Sequence, residues 1–347
     1  MSTSITLIHP IKHPSRIGTP VEFADGISIT DGTLGAAPGS MNWDPSQSVM
    51  NIRNEYADSI LQVGQELYVH VCNNTGSTLN DGEVVQLNGY DGPNDCFTVS
   101  LAKADSLDTA SVLGIVTTTM LTTEKGLVTI FGRINEIDTT GETSGAPVYL
   151  SDTNAGEWTT VKPPIPIRLG FIGCIATDGC ILVNIDQRPP SIYASLYSAV
   201  TQTYNGTDSA VVELEEEYGV VGVGHSKTVN PEEMEIFSSG TYVITGNFEV
   251  YRTSGANAEE YRAWLQRYPN GGSAWENVVA TNIKTAVYNG GETARLSANV
   301  GAYFEKGDKL RVMARASDST IEIQAVAAAG DEPAQASVMF SLYRLGD

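Results

Sequence analysis

The feature that most constrains the fold is a steady alternation of short β-prone runs with turn residues. Between Leu61 and Ile185 the runs LYVHVC, EVVQL, FTVSLA, SVLGIVTTTM, GLVTIFGRI, PVYLS, EWTTV, IRLGFIGCIA and CILVNI follow one another, most of them separated by Gly, Asn, Asp or Pro. β-Branched and aromatic side chains fill a pleated, half-buried surface well, and a strand repeat of roughly 8–12 residues with turns between predicts a small barrel or sandwich. No helix-length amphipathic stretch interrupts the series.

The rest of the chain reads the same way. Residues 1–60 hold short alternating pieces, Ile5-Thr6-Leu7-Ile8 and Ile27-Ser28-Ile29-Thr30, broken by Pro10, Pro14, Pro20 and two Asp-Gly steps. Such a segment buries little by itself and gains order by adding strands to a neighbour, so Ile5, Leu7 and Ile8 are candidate docking residues. Arg188-Pro189-Pro190 is a stiff break. Beyond it come YVI, FEVY, YRAWL, LRVM, IEI and a closing VMFSL. The expectation is an all-β chain with an N-terminal extended arm over 1–60, a β-barrel-like spacer over 61–188, a linker over 189–200 and a C-terminal jelly-roll-like β-sandwich head over 201–347.

Charge narrows the partners. The 347 residues carry a formal net charge of −21, and only 18% are charged, below the roughly 25% typical of globular chains. A backbone-binding protein needs lysines and arginines that displace counterions, so no nucleic acid is expected as partner. The first twenty residues lack a signal-peptide core and nowhere do roughly 18 apolar residues run on, so neither secretion by a leader nor membrane insertion is expected.

The four cysteines, Cys72, Cys96, Cys174 and Cys180, have no zinc-like CxxC spacing. In FIGCIATDGCILVNI an Asp178-Gly179 turn would set Thr177 opposite Cys180 and Cys174 opposite Val183. That register puts Cys174 and Cys180 on opposite faces of the ribbon, so free thiols and assembly in a reducing host cytoplasm are expected.

Residues that could carry chemistry read as structural. His9 and His13 are four apart, but Pro10 and Pro14 disfavour the helix that would make them a metal pair. GVVGVG at 219–224 lacks the order of a dinucleotide loop and reads as strand. Glu213, Glu215, Glu216, Glu217, Glu232 and Glu233 read as a solvated loop more readily than as calcium ligands. Neither a nucleophile constellation nor the long repeats of a depolymerase are present. No enzyme activity, cofactor or metal is therefore expected.

Taken in order, MNWDPSQSVMNI, LQVGQELYVHVCNNTGSTLNDGEVVQLNG, VLGIVTTTM, GLVTIFGRINEIDTTGETSGAPVYLS and PPIPIRLGFIGCIA resemble a module of tailed-bacteriophage fibre, spike and decoration proteins. Further on, FSSGTYVITGNFEVYR, FEKGDKLRVMA and SVMFSLYRL are similar to the trimeric jelly rolls of the complement and tumour-necrosis-factor type. That second resemblance implies a homotrimer. It also implies a core strand at Gly240 and Tyr242, a turn at Gly307 and Asp308 before a long central strand, and a last strand carrying Phe340 and Leu342 near the threefold axis; Thr241, between Gly240 and Tyr242, departs from the pattern.

The functional expectation is a virion structural protein, a fibre or spike docked by its arm on capsid or tail proteins, whose head binds a host-surface glycan or protein. A capsid decoration protein is the alternative, and a polysaccharide depolymerase the lesser one. Trp264, Tyr268 and Trp275, around the turn Pro269-Asn270-Gly271-Gly272, are the candidate receptor-facing residues because aromatic anchors dominate binding hot spots. Trp264, within YRAWLQRY, is the one more readily placed in the core.

Overall fold

The structure is a computed structural model that describes residues 33–55, 59–186, 190–206, 208–329 and 331–345. Ile5, Leu7, Ile8, His9 and His13 lie outside the described residues. Every helix or strand assigned among the described residues is a β-strand, so the chain is all-β. The described residues fall into two compact units, one made of those up to 55 with 60–63, the other of the remainder. The first is a three-stranded antiparallel sheet of β1 (Met41–Asp44), β2 (Val49–Arg53) and β3 (Ile60–Gln62).

In the second unit, nine strands match the nine runs read from the sequence. They are β4 (Leu67–Cys72), β5 (Val84–Asp91), β6 (Cys96–Leu101), β7 (Val112–Val116), β8 (Lys125–Ile137), β9 (Pro147–Leu150), β10 (Trp158–Thr159), β11 (Arg168–Ile172) and β12 (Gly179–Asn184). The path β8-β4-β6-β5-β7 returns to β8, closing a five-stranded barrel. Its interior is filled by Val71, Val85, Val99, Val116 and Val128, with Leu79 and Met120. Closure removes the free edges that short strands would otherwise expose.

Strand β8 then leaves the barrel and pairs along its second half with β12, followed by β11, β9 and β10. The changeover is at Gly132, with φ +117°, where a Cβ would come 2.5 Å from the Gln65 carbonyl oxygen. Only glycine suits both conditions. The outer strands bury Val148, Leu150, Leu169, Ile181 and Val183 in a second core, which they share with Val84 of β5 and Ile115 of β7.

The cysteine expectation is corrected. Cys72 is bonded to Cys96 and Cys174 to Cys180, with Cα separations of 5.9 and 5.1 Å. The ladder pairs Gly170 with Val183 and Ile172 with Ile181, not Cys174 with Val183, because Asp178-Gly179 does not make the two-residue turn. Thr139 holds a wider loop instead: its Oγ1 donates to the Cys174 carbonyl at 2.8 Å, and its N–H to the Ala176 carbonyl at 3.0 Å. A tertiary contact overrides the local turn signal and leaves Cys174 beside Cys180.

The remaining strands build a two-sheet sandwich. They are β13 (Tyr193–Ser198), β14 (Gln202–Thr203), β15 (Ala210–Val211), β16 (Glu216–Val221), β17 (Val223–His225), β18 (Glu233–Ile236), β19 (Gly240–Arg252), β20 (Glu259–Tyr268), β21 (Glu276–Asn277), β22 (Ile283–Val287), β23 (Thr293–Phe304), β24 (Lys309–Ala316), β25 (Ile321–Ile323) and β26 (Val338–Arg344). One sheet runs β14-β25-β19-β26-β13-β16, with β23 on the far side of β19. The other runs β17-β18-β24-β20-β21, with β15 on β24 and β22 on β20. Strict alternation sends Tyr242, Ile244, Phe248 and Val250 of β19 and Tyr261, Ala263 and Leu265 of β20 into one shared core.

The stretch 189–200, expected as a linker, contains β13, whose Ala194 and Leu196 are buried in that core. Barrel region and sandwich also touch directly. Leu107 N–H donates to Ser238 Oγ at 3.0 Å, Gly222 N–H to the Pro164 carbonyl at 2.8 Å, and Lys306 Nζ lies 3.2 Å from Asp105 Oδ1. Among the described residues no helix is long and apolar enough to cross a membrane.

Candidate functional site

The outward face of the β20–β24 sheet carries the feature with most chemical content. Because Tyr261, Ala263 and Leu265 point inward, Arg262, Trp264, Gln266 and Tyr268 point outward, opposite Arg315, Met313, Arg311 and Lys309 of β24 respectively. Segment 277–283 forms an arch along the edge of β20, between β21 and β22, that borders this face. Thr281 Oγ1 fixes the arch, accepting from Leu265 N–H at 3.0 Å and donating to the Val278 carbonyl at 2.7 Å. Ala280 at its crest has φ +63°, a conformation that costs a non-glycine residue energy and marks a constrained loop.

Between the arch and this face is a cleft of about 580 Å³, within the roughly 300–1,000 Å³ of small-ligand sites. Trp264, Arg262, Arg315 and Glu260 line it, together with Asn277, Asn282, Ser209 and Ser317. The indole N–H of Trp264 donates to Asn277 Oδ1 at 3.0 Å, as does Gln266 Nε2. The ring is therefore held in place by its edge. Glu260 is neutralised locally, at 2.9 Å from Lys284 Nζ and 2.7 Å from Arg262 NH2, and these two cations hold its carboxyl below the usual range.

Beside the cleft, Tyr268 and Trp275 meet edge to face at 5.6 Å. Arg311 lies over Trp275 and is braced by Gln266, and burial lowers its pKa. The structure thus brings Tyr268 and Trp275 together and sets Trp264 in the neighbouring cleft, half-buried on the outward face and not in the core. Arg262, Arg311, Arg315, Asn277 and Asn282 were not among the candidate site residues read from the sequence. The signal for the arginines was present in KLRVMARA and YRAWLQRY, whose period-2 alternation puts them on the polar face.

The opposite sheet offers a different surface. Tyr242, Phe340 and Leu342 are buried inside the sandwich, and the residues between them face out. Across that outer face Tyr193 pairs with Tyr343, Tyr343 with Val243, Ser195 with Ser341 and Tyr197 with Met339. Tyr197 stacks on Tyr218 at 4.5 Å, and Tyr303 is exposed. Ionised groups sit at its margins, among them Glu249 with Arg295, Glu216 with Lys227, and Glu322 beside Tyr251.

The acidic stretch is internally engaged. Glu215 Oε1 accepts from Ser198 Oγ and Ala199 N–H, and Glu217 lies 2.6 Å from the Nδ1 of buried His225. GVVGVG spans the end of β16 and the start of β17, as strand. Gly307 and Asp308 form the turn before β24. Asp308, fully buried, accepts from Asn270 N–H at 3.0 Å and Glu305 N–H at 2.9 Å.

No family model matches the sequence, and no curated protein matches it. Solved structures with some likeness include the Eiger TNF of S. frugiperda, at 12% identity over 46% of this chain and 94% of that one with a TM-score of 0.32. The globular domain of the zebrafish complement 1qA protein is 11% identical over 45% and 98%, with a TM-score of 0.29. Murine APRIL at pH 8.0 is 8% identical over 45% and 100%, with a TM-score of 0.31.

Proposed function

We propose that this chain is a non-enzymatic structural protein of a bacteriophage particle, a fibre or spike that self-associates as a trimer and exposes its C-terminal sandwich to bind a host-surface molecule. The observation that carries the reading is the tyrosine-rich outer face of the β19–β26–β13 sheet, whose charges lie at its margins. On a chain with net charge −21, copies repel one another except where like charge is absent. A second copy of the same chain is the occupant that this face suits, and closed symmetry would cover it. The opposite sheet, with its cleft and aromatic pair, then faces away and is available for recognition.

The test is adsorption. Full-length protein should bind intact host cells saturably, and antibodies to 201–347 should block particle adsorption. If particles lacking the protein adsorb normally but have fragile heads, the decoration role replaces this one.

A further inference from the structure

We infer that the cleft beside the 277–283 arch binds a carboxylate-bearing sugar residue, with Arg315 as the anion ligand and Trp264 as the surface on which the sugar ring rests. This deepens the attachment reading above and rests on it.

Two guanidiniums and one carboxylate line the cleft. Glu260 is occupied by Arg262 and Lys284, and the nearby Glu259 carboxylate accepts from Ser317 Oγ at 2.5 Å. Arg315 is exposed, and its side chain makes no hydrogen bond or ion pair among the described residues. It is therefore the uncompensated charge of the cleft, on a chain that is otherwise strongly acidic. A guanidinium fork matches a carboxylate in two parallel hydrogen bonds.

The remaining lining fits a saccharide better than a simple anion. Trp264 spends its N–H on Asn277, which leaves the ring face and not its donor for a ligand. The side chains of Asn282 and Ser209 supply donors and acceptors for hydroxyl groups. A half-buried aromatic face flanked by convergent polar groups can orient a hydroxyl-bearing ligand.

The experiment measures binding of full-length protein to sialyllactose and to a glucuronate-containing hexasaccharide, each beside its carboxyl-reduced, neutral counterpart. Arg315→Gln is the test variant; Arg315 has no described partner to lose, and circular dichroism checks its fold. At least one acidic probe should bind about tenfold or more tightly than its neutral form, and R315Q should erase that difference. Trp264→Ala should weaken acidic and neutral probes alike. Equal binding of both forms, no binding of either, or an unchanged preference in R315Q overturns the proposal. If no acidic probe binds while R315Q still adsorbs to host cells, the cleft falls and attachment stands. If an acidic probe binds through Arg315 but the protein adsorbs to no host cell, attachment falls and the cleft stands.

Discussion

The guanidinium carbon of Arg311 lies 4.0 Å from the centroid of the Trp275 ring, while its Nε and NH2 both donate to Gln266 Oε1, at 3.0 and 2.8 Å. A cation held over an indole by a second residue is a fixed platform, not a mobile side chain. Trp275→Ala should cost about 1–2 kcal/mol in urea unfolding, from lost cation–π and edge-to-face contacts. A loss near zero would mean that the stack is not formed in solution.

Asp308 secures the turn before β24. Asp308→Ala would leave the Asn270 and Glu305 N–H groups without their acceptor and Arg267, 3.5 Å away, without its counter-ion. The expected cost is about 3–5 kcal/mol. Asp308→Asn keeps one acceptor oxygen and should lose less, which separate urea titrations of the two variants will read.

Peptide mapping without reductant should find Cys72 linked to Cys96 and Cys174 to Cys180. By loop-closure entropy the first bridge, spanning 24 residues, stabilises more than the second, spanning 6, by about 3.5 against about 2.2 kcal/mol. Reduction should accordingly lower the melting temperature, and Cys72→Ser should lower it more than Cys174→Ser.

Partial burial pushes the Asp81 carboxyl up from 3.8 to about 6, with Glu136 adding to the shift and the Gly82 N–H opposing it. Between those values the folded chain binds more protons than the unfolded one, so stability falls as pH rises through the window and stays lower above it. Asp81→Asn should stabilise the protein at about pH 7.5, by under about 1 kcal/mol because solvent reaches the carboxylate. At about pH 3.5 the two proteins should melt together.

Much of the architecture is legible in local pattern. Each of the nine runs between Leu61 and Ile185 is a strand, because alternation and turn residues are properties of neighbours in sequence. Barrel closure through β7 and β8 is not legible, since it depends on partners brought together only by the fold. The Cys174–Cys180 loop misleads for the same reason: Asp178-Gly179 is a good hairpin turn until Thr139 supplies competing hydrogen bonds. At the candidate site the aromatic residues stand out by type, whereas the importance of Arg315 emerges only once Arg262 and Lys284 are seen to be spent on Glu260.

The most direct measurement is immunogold electron microscopy of intact particles with antibody raised against 201–347. The account requires label on the outer surface of undisrupted particles, absent from particles that lack the protein. Label only after disruption, or none on particles at all, would contradict it.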